Sequence, residues 1–186
     1  MGLLTLGSNL SVNAQTKAKV HYSEKRLKTD TSKADFDGPY IFYTQTEAVV
    51  KQIVEKNQQA TLVSETFKNP IAGKKLTCYV DNKEHFSFKV QELLQNQPSV
   101  YAMPEKLIAI SDIEGRYQEF KQFLIANKVM DKNYKWTFGK GHLVTVGDFF
   151  DRGLLVNQTL WLIYSLEEQA EKAGGKVHFI LGNHDL

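Results

Sequence analysis

The chain has 186 residues, of which 42% are apolar and 24% charged, and its formal net charge is +2. This is ordinary globular composition at a length that fits one domain, or one domain with a small appendage. No run approaches the roughly 18 apolar residues of a membrane helix, and the single Cys78 excludes an internal disulfide framework and a Cys-x-x-Cys zinc knuckle, which leaves it as a small buried apolar residue.

Residues 1–14, "MGLLTLGSNLSVNA", are apolar and rich in small residues, and "VNA" before Gln15 has the form of a signal-peptidase site. They lack a basic leader region, so two readings stay open. One is the remnant of a secretory signal on an exported or periplasmic protein, and the other is a functionless terminus on a cytoplasmic one. Residues 15–36 are polar, mildly basic and aperiodic, as expected of a solvated tether.

From 37 to 104 the pattern is β-rich. "PYIFYTQ" and "ATLVSETF" carry many β-branched and aromatic residues. Leu76, Cys78 and Val80 alternate with polar positions, and Phe86, Phe88 and Val90 do the same across the turn chemistry of "DNKEH", which predicts a hairpin with one buried face. "NQPSVYAMPE" reads as a connector. Nothing here carries chemistry, and an accessory β module or an edge extension of a larger sheet is expected.

After Pro104 the character changes. "LIAIS" (107–111), "HLVTVG" (142–147) and "VHFILG" (177–182) are short apolar runs without strict alternation, as expected of parallel strands buried on both faces. Between the first two, Tyr117, Phe120, Phe123 and Leu124 fall at helical spacing. Between the second and third, Leu162, Leu166 and Ala170 share a helix face that ends at a Gly-Gly cap. The predicted unit is an α/β, parallel βαβαβ arrangement, with Trp161 and Tyr164 as core aromatics.

Each of the three runs ends in chemistry: Asp112-Ile-Glu114-Gly, then Gly-Asp148-Phe-Phe-Asp151-Arg152-Gly, then Gly-Asn183-His184-Asp185. Ligands of open parallel sheets sit beyond the carboxyl ends of the strands, so Asp112, Glu114, Asp148, Asn183 and His184 are expected on one rim. Carboxylates crowded there need a counter-charge, and a divalent cation suits these oxygen and nitrogen donors. Asp185 alone reads equally well as a helix cap.

With these residues in view, the segment from about 106 to 186 resembles the calcineurin-like metallophosphoesterase superfamily, marked by D-x-H, G-D-x-x-D-R-G and G-N-H-[ED]. The resemblance implies a sandwich of which βαβαβ is one half, and a hydrolase using two divalent ions, with manganese favoured and magnesium, iron or zinc as alternatives. It implies Asp112 and the residue at 114 as ligands of one ion, Asp148 as a bridge and Asn183 as a ligand of the other. It further implies Arg152 as a clamp on the substrate phosphate, shared with Asn183 and His184, and His184 as the acid for the leaving oxygen, with Asp151 orienting it.

Two departures qualify the match: position 114 is Glu where the family has His, and the family's further histidine ligands come from segments beyond Leu186, so the second ion's site is expected to be incomplete and the sheet to expose an apolar face. The reaction implied is hydrolysis of a phosphate monoester, as in serine/threonine protein phosphatases, on a phosphoprotein or a small phosphoester. A dinucleoside polyphosphate hydrolase is the alternative, because "GNHD" carries Asp rather than Glu. A non-catalytic metal- or phosphate-binding module is another, although Arg152 and His184 exceed what that needs. A membrane span and a nucleic-acid partner are not expected, and the oligomeric state is open.

Overall fold

The computed structural model describes residues 36–92 and 97–186. The possible signal remnant at 1–14 and nearly all of the tether at 15–36 lie outside the described residues.

The β-rich segment builds two small sheets. Strands β1 (Asp37–Tyr43), β2 (Glu47–Lys56) and β3 (Gln59–Lys68) form an antiparallel meander in that order. Strands β4 (Lys75–Tyr79) and β5 (His85–Lys89) form the expected hairpin. Its alternation is real, because Leu76, Cys78, Val80, Phe86, Phe88 and Val90 are all buried. These sheets are separate from the third one, so the segment is not an edge extension of it.

The third sheet is parallel, in the order β6 (Leu107–Ser111), β7 (His142–Val146), β8 (Lys176–Ile180). Helix α1 (Tyr117–Ala126) lies between β6 and β7 in the chain, and α2 (Val156–Lys172) between β7 and β8. The helical spacing predicted which faces are buried: Tyr117, Phe120 and Leu124 on α1, with Phe123 half-buried beside them, and Leu162, Leu166 and Ala170 on α2. The helix α2 stops where Gly174 turns into the left-handed region at φ 76° and Gly175 N donates 2.8 Å to Ala170 O.

Helix α2 joins the layers. It touches β8 of the parallel sheet and also β1, β4 and β5. Trp161 stacks on Phe88 with ring centroids 4.2 Å apart, its indole N–H donates 2.8 Å to Pro39 O, and Tyr164 meets Phe88 edge-on. Both aromatics are therefore structural. At the other end, the Glu84 carboxylate accepts hydrogen bonds from Lys121 Nζ (2.8 Å), Tyr134 OH (2.7 Å) and Gln118 Nε2 (3.1 Å), tying the β4–β5 turn to α1. One continuous apolar core thus spans the β-rich and α/β parts.

One expectation is corrected. The parallel strands are not buried on both faces. Leu143, Thr145 and Val177 are buried, whereas Leu107, Val146 and Ile180, which alternate to the other side, are exposed, so only one face of this sheet is covered. The other face lines an open groove with Tyr101, His142 and His178. Among the described residues no helix is long and apolar enough to cross a membrane.

Candidate active site at the strand tips

The register of the parallel sheet brings the three strand ends level. Ser111 pairs with Val146, and Val146 with Ile180, so the residues that follow leave the sheet side by side. Backbone hydrogen bonds continue past the strands and lock these exits together. Asp112 N donates 3.3 Å to Gly147 O, Glu114 N donates 2.8 Å to Asp148 O, and Gly147 N donates 2.7 Å to Ile180 O. All three predicted strand-end motifs therefore reach one rim.

Glycine is required where the exits cross. A Cβ on Gly182 would overlap Asp148 Oδ1 and Asp148 N, and a Cβ on Gly153 would overlap the Gly115 backbone and Glu114 O. The opening turn of β7 is thus pinned on one side by β8's exit and on the other by β6's.

Asp148 Oδ1 accepts a hydrogen bond from His184 N at 3.0 Å. The His184 ring places Nδ1 3.8 Å from Asp151 Oδ2, an ion pair when the imidazole is protonated. Arg152 Nε lies 3.2 Å from Glu114 Oε1 and 3.9 Å from Asp151 Oδ2. Glu114 is buried, whereas Asp112, Asp151, Arg152, Asn183 and His184 are exposed on the rim. Asp112 and Asn183 enter the cluster by backbone position, and both residues are exposed at the rim.

Asp185 has a role that the sequence left open between cap and ligand. Its Oδ1 accepts from Phe149 N (2.8 Å) and Phe150 N (3.2 Å), and its Oδ2 from Gly182 N (2.8 Å). Burial pushes this carboxyl's pKa up, but the backbone donors of Gly182, Phe149, Phe150 and Asp148 outweigh it and hold the pKa below the usual carboxylate value. Asp185 is a staple between the β7 turn and the short 3-10 turn Asn183–Asp185. The sequence signal for it was weak: an acidic residue three positions after a glycine that itself needs a partner for its N–H.

Asp112, Asp148 and Asn183 offer hard oxygen donors at adjacent strand tips, which in kind fits a divalent cation such as manganese or magnesium. As oriented here, no three His, Cys, Asp or Glu side chains among the described residues stand close enough together to hold an ion. Glu114 is the reason on its side of the rim: its carboxylate is turned to the Arg152 guanidinium rather than to Asp112.

Comparisons with known proteins agree with this geometry. Residues 105–186 match the family model described as calcineurin-like phosphoesterase. The chain is 34% identical over 95 residues to Shewanella-like protein phosphatase 2 of Arabidopsis thaliana, covering 51% of this chain and 24% of that protein. It is 35% identical over 80 residues to Shewanella-like protein phosphatase 1 of Plasmodium berghei, covering 43% of this chain and 22% of that one. The solved cold-active protein-tyrosine phosphatase of a psychrophilic Shewanella species superposes with a TM-score of 0.66 at 33% identity, over 81% of this chain and 44% of that one. That superposition is longer than the family-model span, so it takes in much of the β-rich segment as well. The chain spans about a quarter of the length of these curated relatives and less than half of the solved chain. Residues 105–186, whose three motifs meet on one rim, are thus similar to the calcineurin-like phosphoesterases.

Proposed function

We propose that residues 105–186 carry the phosphate-handling rim of a metal-dependent phosphatase that hydrolyses phosphate monoesters on proteins. The observation that carries this reading is the convergence of the strand exits, with Asp148 Oδ1 held by His184 N at 3.0 Å and Arg152 beside them. The phosphoprotein substrate is supported by the relatives, which are named as protein phosphatases and a protein-tyrosine phosphatase.

Asp112, Asp148 and Asn183 would hold the divalent ions, with manganese favoured because the donors are oxygen-rich. When bound, such ions supply water activation at neutral pH and neutralise phosphoryl charge. The chain's own residues do the rest. Arg152 has a planar fork of donors suited to two phosphoryl oxygens, and its side chain is 65% exposed, open to an incoming anion. His184 stands on the same rim and delivers a proton to the leaving oxygen. Asp151, 3.8 Å from its Nδ1, is placed to orient the ring.

The test is p-nitrophenyl phosphate turnover by the polypeptide that carries these residues, with manganese and with chelator, alongside phosphotyrosine and phosphoserine peptides. Asp148→Asn is expected to lower kcat/KM at least about a hundredfold, equivalent to about 2.7 kcal/mol of barrier. Undiminished turnover in Asp148→Asn, or full turnover in chelator, defeats the proposal. Preferential cleavage of dinucleoside tetraphosphate over phosphopeptides would reassign the substrate.

A further inference from the structure

The residue at 114 is the one motif position at which this chain departs from the family it resembles, and its surroundings differ from those of a free ligand. Its backbone is clamped at both ends. Glu114 N donates 2.8 Å to Asp148 O, and Glu114 O accepts from Gly153 N at 2.8 Å. The residue sits in the left-handed region at φ 48°, a conformation that a non-glycine residue keeps only when its neighbours over-determine it. These clamps bind the exit of β6 to both ends of the Asp148–Gly153 turn, and they aim the Glu114 side chain inward, where it is buried. Its Oε1 meets Arg152 Nε at 3.2 Å, while the guanidinium remains largely exposed.

The choice of nitrogen matters. Guanidinium has five N–H donors in a fixed plane. A carboxylate paired by charge with Nε holds the inner side of the guanidinium and leaves the outer Nη pair for a second, bidentate oxyanion. A histidine at 114 could not do this as an anion, since neutral imidazole carries no charge to pair with the guanidinium. The substitution therefore exchanges one function for another at the same backbone position.

We infer that Glu114 is the positioning residue for Arg152, anchoring its Nε so that the outer edge faces the substrate phosphate, and that it is not a ligand of the first cation. The inference rests on the reading of Arg152 as the phosphate clamp.

Two measurements on the full 186-residue chain decide it, both in chelator at first so that no cation contributes. In the nitrogen-15 spectrum, the Arg152 Nε–H, assigned by its loss in Arg152→Lys, is expected to exchange with water at least tenfold more slowly than that of exposed Arg116. The difference should vanish in Glu114→Ala and survive the addition of 10 mM magnesium. Equal exchange at both arginines, slow exchange that persists in Glu114→Ala, or magnesium restoring fast exchange each overturns the anchor. In the second measurement, inorganic phosphate is titrated by calorimetry. Glu114→Ala and the neutral Glu114→Gln are each expected to weaken binding at least threefold, and Glu114→Asp, which keeps the negative charge, to stay closer to the parent than either. Binding that falls in Arg152→Lys but not in Glu114→Ala refutes the positioning role while leaving the clamp intact. Binding indifferent to Arg152→Lys removes the clamp reading itself, and the inference with it.

Discussion

Removing the Asp185 carboxylate tests whether the rim is held together as described. In Asp185→Ala, three backbone N–H groups lose their acceptor: Phe149 and Gly182, which are partly buried, and Phe150, which is exposed. Water replaces the bond at Phe150 at little cost. A hydrogen bond to a charged group is worth about 1.5–3 kcal/mol net, and the solvent contact of this carboxylate places the two remaining bonds at the low end, so the loss is about 2–3 kcal/mol. For a chain of this size each kcal/mol moves Tm by about 2–4 °C, which gives a fall of roughly 5–10 °C in a thermal melt at pH 7. Asp185→Asn keeps one oxygen, so it retains the Phe149 side of the staple and should lose about half as much. The pH dependence has a fixed sign. The folded carboxyl's pKa is depressed below its unfolded value of about 3.9, so its contribution is complete above that pH and disappears as the pH falls through the folded pKa. The wild-type and Asp185→Ala melting curves should therefore converge in strong acid. Hydrogen exchange at Phe149 and Gly182 should accelerate before the global unfolding limit is reached. A melting temperature unchanged within 1 °C at pH 7, with those amides still protected, would show that the loop does not depend on this carboxylate.

Glu84→Gln should lower the urea midpoint at pH 7 by the equivalent of about 1–2 kcal/mol, because the side chain loses its charge-assisted bond from Lys121. Burial raises the Glu84 pKa, but the donors of Lys121, Tyr134 and Gln118 together lower it, so the difference between variant and parent should shrink as the pH drops below about 4.3; a difference that grows in acid contradicts the hub. Gly182→Ala forces its methyl onto Asp148, and manganese-dependent p-nitrophenyl phosphate turnover should fall at least about a hundredfold, while an unaffected rate means that the strand exits do not touch as described. Cys78 is fully buried and burial pushes its thiol pKa strongly up, so Ellman's reagent should label it only with the kinetics of unfolding; immediate labelling of the native chain would place it at the surface.

The parallel half of the molecule was legible because its signals are long and redundant. Helical spacing at Tyr117, Phe120 and Leu124 and at Leu162, Leu166 and Ala170 marked both buried faces, and glycines flanked the strand ends. Strand β2 was not. "EAVVKQIVEK" mixes apolar and charged residues at spacings that suit a helix as well as a strand, and it buries only Ala48 and Val50 fully. Its turn to β3 also lacks a glycine, although Asn57 and Gln58 both take positive φ, at 52° and 61°. The short apolar runs of β6–β8 suggested cover on both faces, yet run composition cannot count the layers that pack against a sheet. At the site, strand-end position was enough to place Asp112, Asp148, Asn183 and His184 on one rim. The pairing of Glu114 with Arg152 depends on the path of two side chains across a turn, which sequence spacing does not encode.

The backbone explains why this rim can exist before any ligand arrives. Among the described residues nine non-glycine positions have positive φ, and Asp112, Glu114, Asp148, Asp151 and Arg152 are five of them. Each such residue costs about 1–3 kcal/mol and persists only where its surroundings fix it, so five within two adjacent exits would unravel if each loop stood alone. They do not stand alone. The β6 exit is bonded to the β7 turn at Asp112, Glu114 and Gly153, the β7 turn to β8 at Gly147, and the last exit to the β7 turn through Asp185. Strain in one loop is thus offset by bonds made to the next, and no exit can relax without opening its neighbours. It follows that the backbone positions of Asp112, Asp148 and Asn183 are set by the sheet and by the bonds between its exits.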